Sequence, residues 1–202
     1  MRVISFFICV FLIPVVSFGQ RDSSLQKKID SLLAVDQQVQ TDMIAAYQHN
    51  AGQQEKDSLE KVKEQTFDRH IPVLKDIIRQ KGLPTYQLVG KESSDNFLTL
   101  VNHSFSDIPF QQKVTKLAKA EVKRKNISAP YLALMIDKMK IKSGKKQPYG
   151  TQCDYTKEGE AIAINLFKPG TIDNRRAKMG LSPLKTYLKM MTEIHRQMNE
   201  KK

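Results

Sequence analysis

The chain has 202 residues, with 33 Lys and Arg against 21 Asp and Glu and a formal net charge of +12. That length suits one domain with its own core rather than two, and two cysteines, one of them inside an N-terminal apolar run, exclude a disulfide scaffold. The positive balance suits anionic surroundings, but the basic residues are spread along the chain rather than interleaved with aromatics, which argues against a nucleic-acid surface.

Met1 and Arg2 precede an apolar stretch from Val3 to Phe18 that closes on Ser17, Phe18 and Gly19. This is the plan of a secretory leader cleaved after Gly19, with a positive start, an apolar centre and small residues at the recognition positions. The run is shorter than the roughly 20 apolar residues of a bilayer span and Pro14 interrupts it. Cys9, deep in the run without small residues before it, offers no lipidation site. The expectation is a leader over residues 1–19 and a single mature domain over 20–202, periplasmic or secreted, from a Gram-negative bacterium, and not membrane-spanning. Cys9 leaves with the leader, so Cys153 is alone and reads as a small buried hydrophobe; no flanking His marks it as a nucleophile.

From Ser24, a plausible N-cap, Leu25, Ile29, Leu32, Leu33, Val39, Met43, Ile44 and Tyr47 recur at helical spacing. Gln48 to Glu64 is nearly all polar and reads as a solvated helical continuation or a loop. Phe67, Ile71, Leu74, Ile77 and Ile78 form a further helical series that stops at Gly82 and Pro84, with Pro72 starting or kinking the helix. After a connection from Tyr86 to Gly90, Ser93 or Ser94 caps a helix that carries Phe97, Leu98, Leu100 and Val101 and ends in Asn102 and His103. Asp107 before Pro109 opens the next helix, which stops near Asn126. Ser128 before Pro130 repeats that signal for an almost wholly apolar segment, Tyr131 to Met139, whose end is expected at Asp137 and Lys138.

Beyond it, Tyr149 to Tyr155, a turn at Lys157 to Gly159, and Ala161 to Phe167 with Ile162, Ile164 and Leu166 on one parity predict a β-hairpin. Asp173 caps a short helix ending at Gly180, and Ser182 and Pro183 start a last one with Leu184, Tyr187, Leu188, Met191, Ile194 and Met198 on one face. The fold class is mainly α, with about six helices and a small hairpin near residues 150–167.

Chemistry concentrates in three places. Gly144 to Gln152 packs Gln147, Tyr149, Thr151 and Gln152 onto a glycine-punctuated loop, suited to recognising a polar ligand or to satisfying backbone groups where helix meets strand. Asp137, a carboxylate at the end of an apolar helix, needs a partner, with Lys138, Arg175, Arg176 and His103 as candidates; an ion pair and a general base read alike. His103 is either an acid/base group or a cation on helix C-terminal carbonyls. His49, His70 and His195 share no ligand spacing with it, so no metal site and no cofactor are expected, and no HExxH, GxSxG, P-loop or Rossmann pattern occurs.

Several of these residues carry a resemblance. Asp36-Gln37, Gly82 to Pro84, Val89-Gly90, Asn102-His103, Phe110-Gln111, Asp137-Lys138 and Tyr149 to Gln152, in this order, resemble the motifs of an uncharacterised bacterial domain family, most closely from Phe67 to Gln152 with an extension to about Tyr187. Asn102 stands where that family usually has Gln, and Lys138 where it usually has Arg. The resemblance implies that His103, Gln111, Asp137, Lys138 and the Tyr-Gly-Thr-Gln loop meet in one pocket, and it brings no reaction with it. The expected function is binding of a small polar or anionic ligand there, with His103 or Asp137 as acid/base and Gln111, Lys138, Gln147, Tyr149, Thr151 and Gln152 as ligand-binding residues. One alternative is an envelope interaction module whose polar cluster is a structural hydrogen-bond network; another is a hydrolase using His103 and Asp137.

Overall fold

A computed structural model describes residues 20–200; the leader expected over residues 1–19 lies outside the described residues. Among the described residues there are seven α-helices: α1 (Ser23–Gln48), α2 (Gln53–Lys81), α3 (Tyr86–His103), α4 (Ile108–Lys123), α5 (Ala129–Lys142), α6 (Ile172–Lys178) and α7 (Leu184–Glu200). A two-stranded antiparallel hairpin, β1 (Cys153–Tyr155) and β2 (Ala161–Ala163), lies between α5 and α6, paired in the register Cys153 with Ala163 and Tyr155 with Ala161. The mainly α class is as the periodicity predicts, with one more helix. No described helix is long and apolar enough to cross a membrane.

The core is one cluster in which α1 to α5 bury the stripes that their spacing sets out. Ile29, Leu74, Phe97, Leu100, Val101, Val114, Leu132 and Met135 meet there, and Met179, from the turn after α6, closes it. Burying such side chains supplies most of the driving force for folding. A series of polar contacts fixes α1 against α3. Asp22 N–H donates to Leu88 O, Gln26 Nε2 to Val89 O, Ser93 Oγ and Asn96 Nδ2 to the two oxygens of Asp30, and His103 Nδ1 meets Asp36. Partner numbers rise together along both helices, so α1 and α3 run parallel and Asp36–His103 is the last rung.

Several local expectations are corrected. Asp22, not Ser24, caps α1, its carboxylate accepting from Leu25 N–H. The polar stretch after Gln48 is helical from Gln53 on, and α2 runs unbroken through Pro72, whose exposed side leaves room for the ring. Ser93 and Ser94 are no caps: both are buried inside α3, which starts earlier at Tyr86 and is broken at Gly90 (φ 76°), and Ser94 Oγ donates to Pro84 O. Gly90 takes a left-handed conformation that suits glycine, and its missing Cβ gives space to Arg21 and Gln26 of the neighbouring segment. Asp107 and Ser128 cap α4 and α5 as predicted. α5 does not end at Asp137 and Lys138 but continues to Lys142, which removes the helix-end argument for Asp137.

The strands are shorter than predicted, because Tyr149 to Gln152 is held as a loop, and the inward parity is Ala161 and Ala163 while Ile162 is exposed. Asp173 lies in the first turn of α6 and accepts instead from Leu184 N–H, so it caps α7 across the intervening turn. On α7 the packed edge runs through Tyr187, Leu188, Thr192 and His195; Thr192 Oγ1 accepts from Ala161 N–H, His195 stacks on Tyr155 at 3.9 Å, and Ile194 and Met198 face outward.

An exposed proline inside a helix costs about 3 kcal/mol relative to alanine through its missing N–H and its clash with the preceding turn. Pro72→Ala is therefore expected to stabilise the fold by about 1 kcal/mol or more, measured by urea unfolding; an unchanged or lower midpoint contradicts that reading.

Candidate functional site

The residues singled out in the sequence fall into two clusters on either side of α5, rather than into one pocket. The first is built on Asp137, which has no exposed surface. Its Oδ1 accepts from Tyr149 N–H at 3.1 Å, and its Oδ2 accepts from Thr151 N–H at 2.9 Å and Thr151 Oγ1 at 3.0 Å. The partners proposed for it, Lys138, Arg175, Arg176 and His103, are replaced by loop amides. The carbonyls of the same loop are held by other donors: Arg176 donates to Tyr149 O, Arg175 Nε to Pro148 O, and Tyr187 OH to Thr151 O, while Arg176 Nε also reaches Ser182 O ahead of α7. Gln147, also fully buried, closes the loop on itself, giving Nε2 to Gln152 O and Ile164 O and accepting from Gln152 N–H through Oε1. Gln152 Nε2 donates to Thr151 Oγ1.

The backbone of the loop thus finds partners inside the protein, as buried backbone must. Burial pushes the Asp137 carboxyl above its ordinary value, opposed by the Thr151 and Tyr149 amides, the Thr151 hydroxyl and the charge of Arg176. Gly150, at φ 65°, takes a conformation that strains any other residue, and a Cβ there would crowd Leu184 Cδ1 at 2.9 Å and Ile172 Cδ1 at 3.0 Å.

The second cluster is built on Asp36, a carboxylate of α1 with no exposed surface. Its Oδ2 accepts from His103 Nδ1 at 2.7 Å and from Gln40 Nε2 at 3.2 Å. His70 of α2 brings its Nδ1 to within 4.0 Å of Oδ1, and both atoms are buried without a hydrogen-bond partner. Phe67, one turn before His70, stacks on the His103 ring at 4.8 Å and meets Phe105 edge-on at 5.8 Å. Gln111 is buried on α4 and donates to Val101 O and Asn102 O, tying down the C-terminal carbonyls of α3 that His103 was expected to satisfy. That frees the imidazole for Asp36.

A carboxylate oxygen accepts, so the proton shared in this bond is the one on Nδ1 of His103, and Nε2 is the ring nitrogen not used by Asp36. The His103 side chain retains 15% of its surface, whereas that of His70 retains 9% and Asp36 none. Lys138, half-buried beside Asp137 in sequence, belongs to this second cluster: its ammonium lies 5.4 Å from the centre of the Phe105 ring. Burial lowers the Lys138 pKa, reinforced by the charges of Lys142 and Lys63 and opposed by Asp36.

The sequence reading omitted His70 and Phe67 from the site and gave Asp36 only as part of a motif. The available signal is the heptad spacing Ile29, Asp36, Met43, which sets a carboxylate on the buried stripe of α1; His70 likewise interrupts the stripe of α2 between Phe67 and Leu74. Among the described residues no group of three or more His, Cys, Asp or Glu is arranged to hold a metal ion. A cavity of about 230 Å³ opens elsewhere, between the C-terminal ends of α1 and α7, lined by Ile44, Tyr47, Gln48, His195, Met198 and Asn199. Its lining is mostly apolar, and among its polar members Asn199 and His195 bond to each other.

Two predictions follow from the contrast. Asp137→Ala orphans the two amides and the hydroxyl that it now satisfies, at roughly 1–3 kcal/mol for each buried group. The variant is expected to lose about 3 kcal/mol or more of unfolding free energy, and a loss under about 1 kcal/mol contradicts the clamp. Burial, as the largest cause, holds the His70 pKa below its ordinary 6.5, opposed by Asp36. The folded chain therefore binds fewer protons than the unfolded chain near and below pH 6.5, and stability falls as pH drops through that window. In His70→Leu the decline is expected to flatten by at most about 1.4 kcal/mol per pH unit, read from urea unfolding between pH 7 and 5; an unchanged slope contradicts a neutral, buried His70.

A family model described as a family of unknown function, DUF6624, matches residues 23–198. No curated protein and no solved structure matches the chain.

Proposed function

We propose that this chain, which belongs to the family of unknown function DUF6624, is an exported bacterial protein that holds a small polar or anionic ligand against His103. The observation that carries the proposal is the 2.7 Å bond from His103 Nδ1–H to the sealed carboxylate of Asp36. Buried carboxylates are expensive to keep in a core. One that fixes the tautomer and orientation of a partly exposed imidazole supplies what a proton donor or acceptor needs. Phe67 holds the ring plane, Gln111 fixes the end of α3, and Lys138 adds positive charge beside the aromatic wall. Export rests on the leader pattern of residues 1–19.

In this reading Asp137, Gln147, Thr151 and the loop from Tyr149 to Gln152 are the support that positions α5, not ligand contacts. With a water held by a bound ligand, the same Nε2 acts as the general base of a hydrolase. The alternative of an envelope interaction module draws on a different face, where Met198 of α7 lies with Ile44 and Tyr47 of α1, and Met190 and Ile194 are exposed further along α7.

Thermal melting of the wild type, His103→Gln and Asp36→Asn against envelope sugars, muropeptides and small anionic metabolites tests the proposal. A compound that raises the wild-type melting temperature is expected to leave both variants unmoved. Equal shifts in all three place the ligand elsewhere and overturn it.

A further inference from the structure

The basic side chains beside the dyad are arranged in a way that the acid/base reading does not use. Lys138 and Lys142 stand one turn apart on α5, with their ammonium groups 5.4 Å and 3.9 Å from the centre of the same ring, Phe105. That ring touches Phe67 edge-on, and Phe67 stacks on His103, so an unbroken run of aromatic contacts leads from the two cations to the dyad. Lys63 of α2 faces the group and is paired with Glu60 at 2.6 Å. Three lysines elsewhere have carboxylates of their own, Lys75 with Asp107, Lys81 with Asp22 and Lys91 with Asp95.

Among the described residues neither Lys138 nor Lys142 has a carboxylate within ion-pairing distance, and Asp36, the acid that Lys138 does feel, is committed to His103. Lys138 is half-buried and Lys142 exposed, and two like charges drawn to one ring repel each other unless a counter-ion joins them. Two uncompensated ammonium groups match a dianion, and each brings donors that can turn toward a tetrahedral oxyanion.

We infer that the ligand of the His103 site carries a dianionic oxyanion of the phosphate class, either free phosphate or a phosphate monoester, seated on Lys138 and Lys142 beside Phe105. The inference rests on the proposed site and names its ligand class. The anion neutralises the lysine pair, and the aromatic wall of Phe105 and Phe67 accepts whatever apolar part the ester carries toward His103.

The test is calorimetric titration of the protein with sodium phosphate, phenyl phosphate, and acetate as the monoanion, at matched ionic strength, with the histidine ring resonances followed by NMR. Saturable binding of phosphate or phenyl phosphate, with acetate much weaker, is expected. Lys138→Met and Lys142→Met, which keep apolar stems over the ring, are each expected to weaken binding by about tenfold or more, and Lys140→Met, exposed on the same helix, to leave it unchanged. Tighter binding of phenyl phosphate marks a monoester as the ligand; equal binding marks the free ion. Absence of saturable binding, or equal losses in Lys140→Met and Lys138→Met, overturns the inference. If the lysine variants behave as expected while His103 does not respond to phosphate, the anion site stands and the His103 reading fails. If a neutral compound moves His103 and neither phosphate nor phenyl phosphate binds, the site stands and the ligand class fails.

Discussion

A carboxylate with no exposed surface has to be met by partners in fixed places, and Asp36 sets that requirement in the middle of the helical layer. Its Oδ2 is met from α3 by His103 and from its own helix by Gln40, while α2 brings His70 to the other oxygen. Left alone in a low-dielectric core, such a group would cost several kcal/mol. The register of three helices is therefore tied to one side chain. The contacts from Asp22 to Leu88, from Gln26 to Val89 and from Ser93 and Asn96 to Asp30 lead along the parallel pair α1 and α3 to this end point. A slip of one turn on α1 would leave Asp36 without His103 and place a polar group against apolar neighbours.

The two acidic centres of the core do opposite things with similar burial. Asp137 is saturated: loop amides and a hydroxyl fill its acceptors, and arginines of α6 hold the carbonyls of the same loop. Such a fully satisfied network rigidifies. Asp36 is not saturated, since Oδ1 faces an equally unpartnered His70 nitrogen, and the imidazole on its other oxygen keeps some surface. Adjacent residues of α5 serve both centres, Asp137 turned toward the loop and Lys138 toward Phe105. The clamp thus fixes the helix from which the cations reach the site.

Much of this was legible in the sequence because it is local. Asp107 before Pro109 and Ser128 before Pro130 cap α4 and α5 as written, since capping depends on residues three apart. His103 at the end of α3 and the singular loop at Gln147 to Gln152 were also visible. What failed depended on partners far along the chain. Ser93 and Ser94 have the chemistry of caps, but Asp30 and Pro84 O, respectively, claim their hydroxyls. Pro72 was read as starting or kinking its helix, yet α2 begins well before it at Gln53, and the packing of Phe67, His70, Ile71 and Leu74 carries the helix through. Asp137 looked to need a cation, and no spacing rule foretells that its partners are amides of a loop more than ten residues on. Asp36 gave a signal in its place on the buried stripe, but which residue would meet it was set only by the parallel packing of α1 and α3.

The central claim is that Asp36 orients the His103 ring through a proton on Nδ1, and the nitrogen-15 spectrum of the histidine side chains reads this directly. Coupling patterns should show a slowly exchanging, strongly deshielded proton on His103 Nδ1, and its loss in Asp36→Asn. A His103 without a proton on Nδ1, or one whose Nδ1 proton exchanges freely with solvent, would contradict the account.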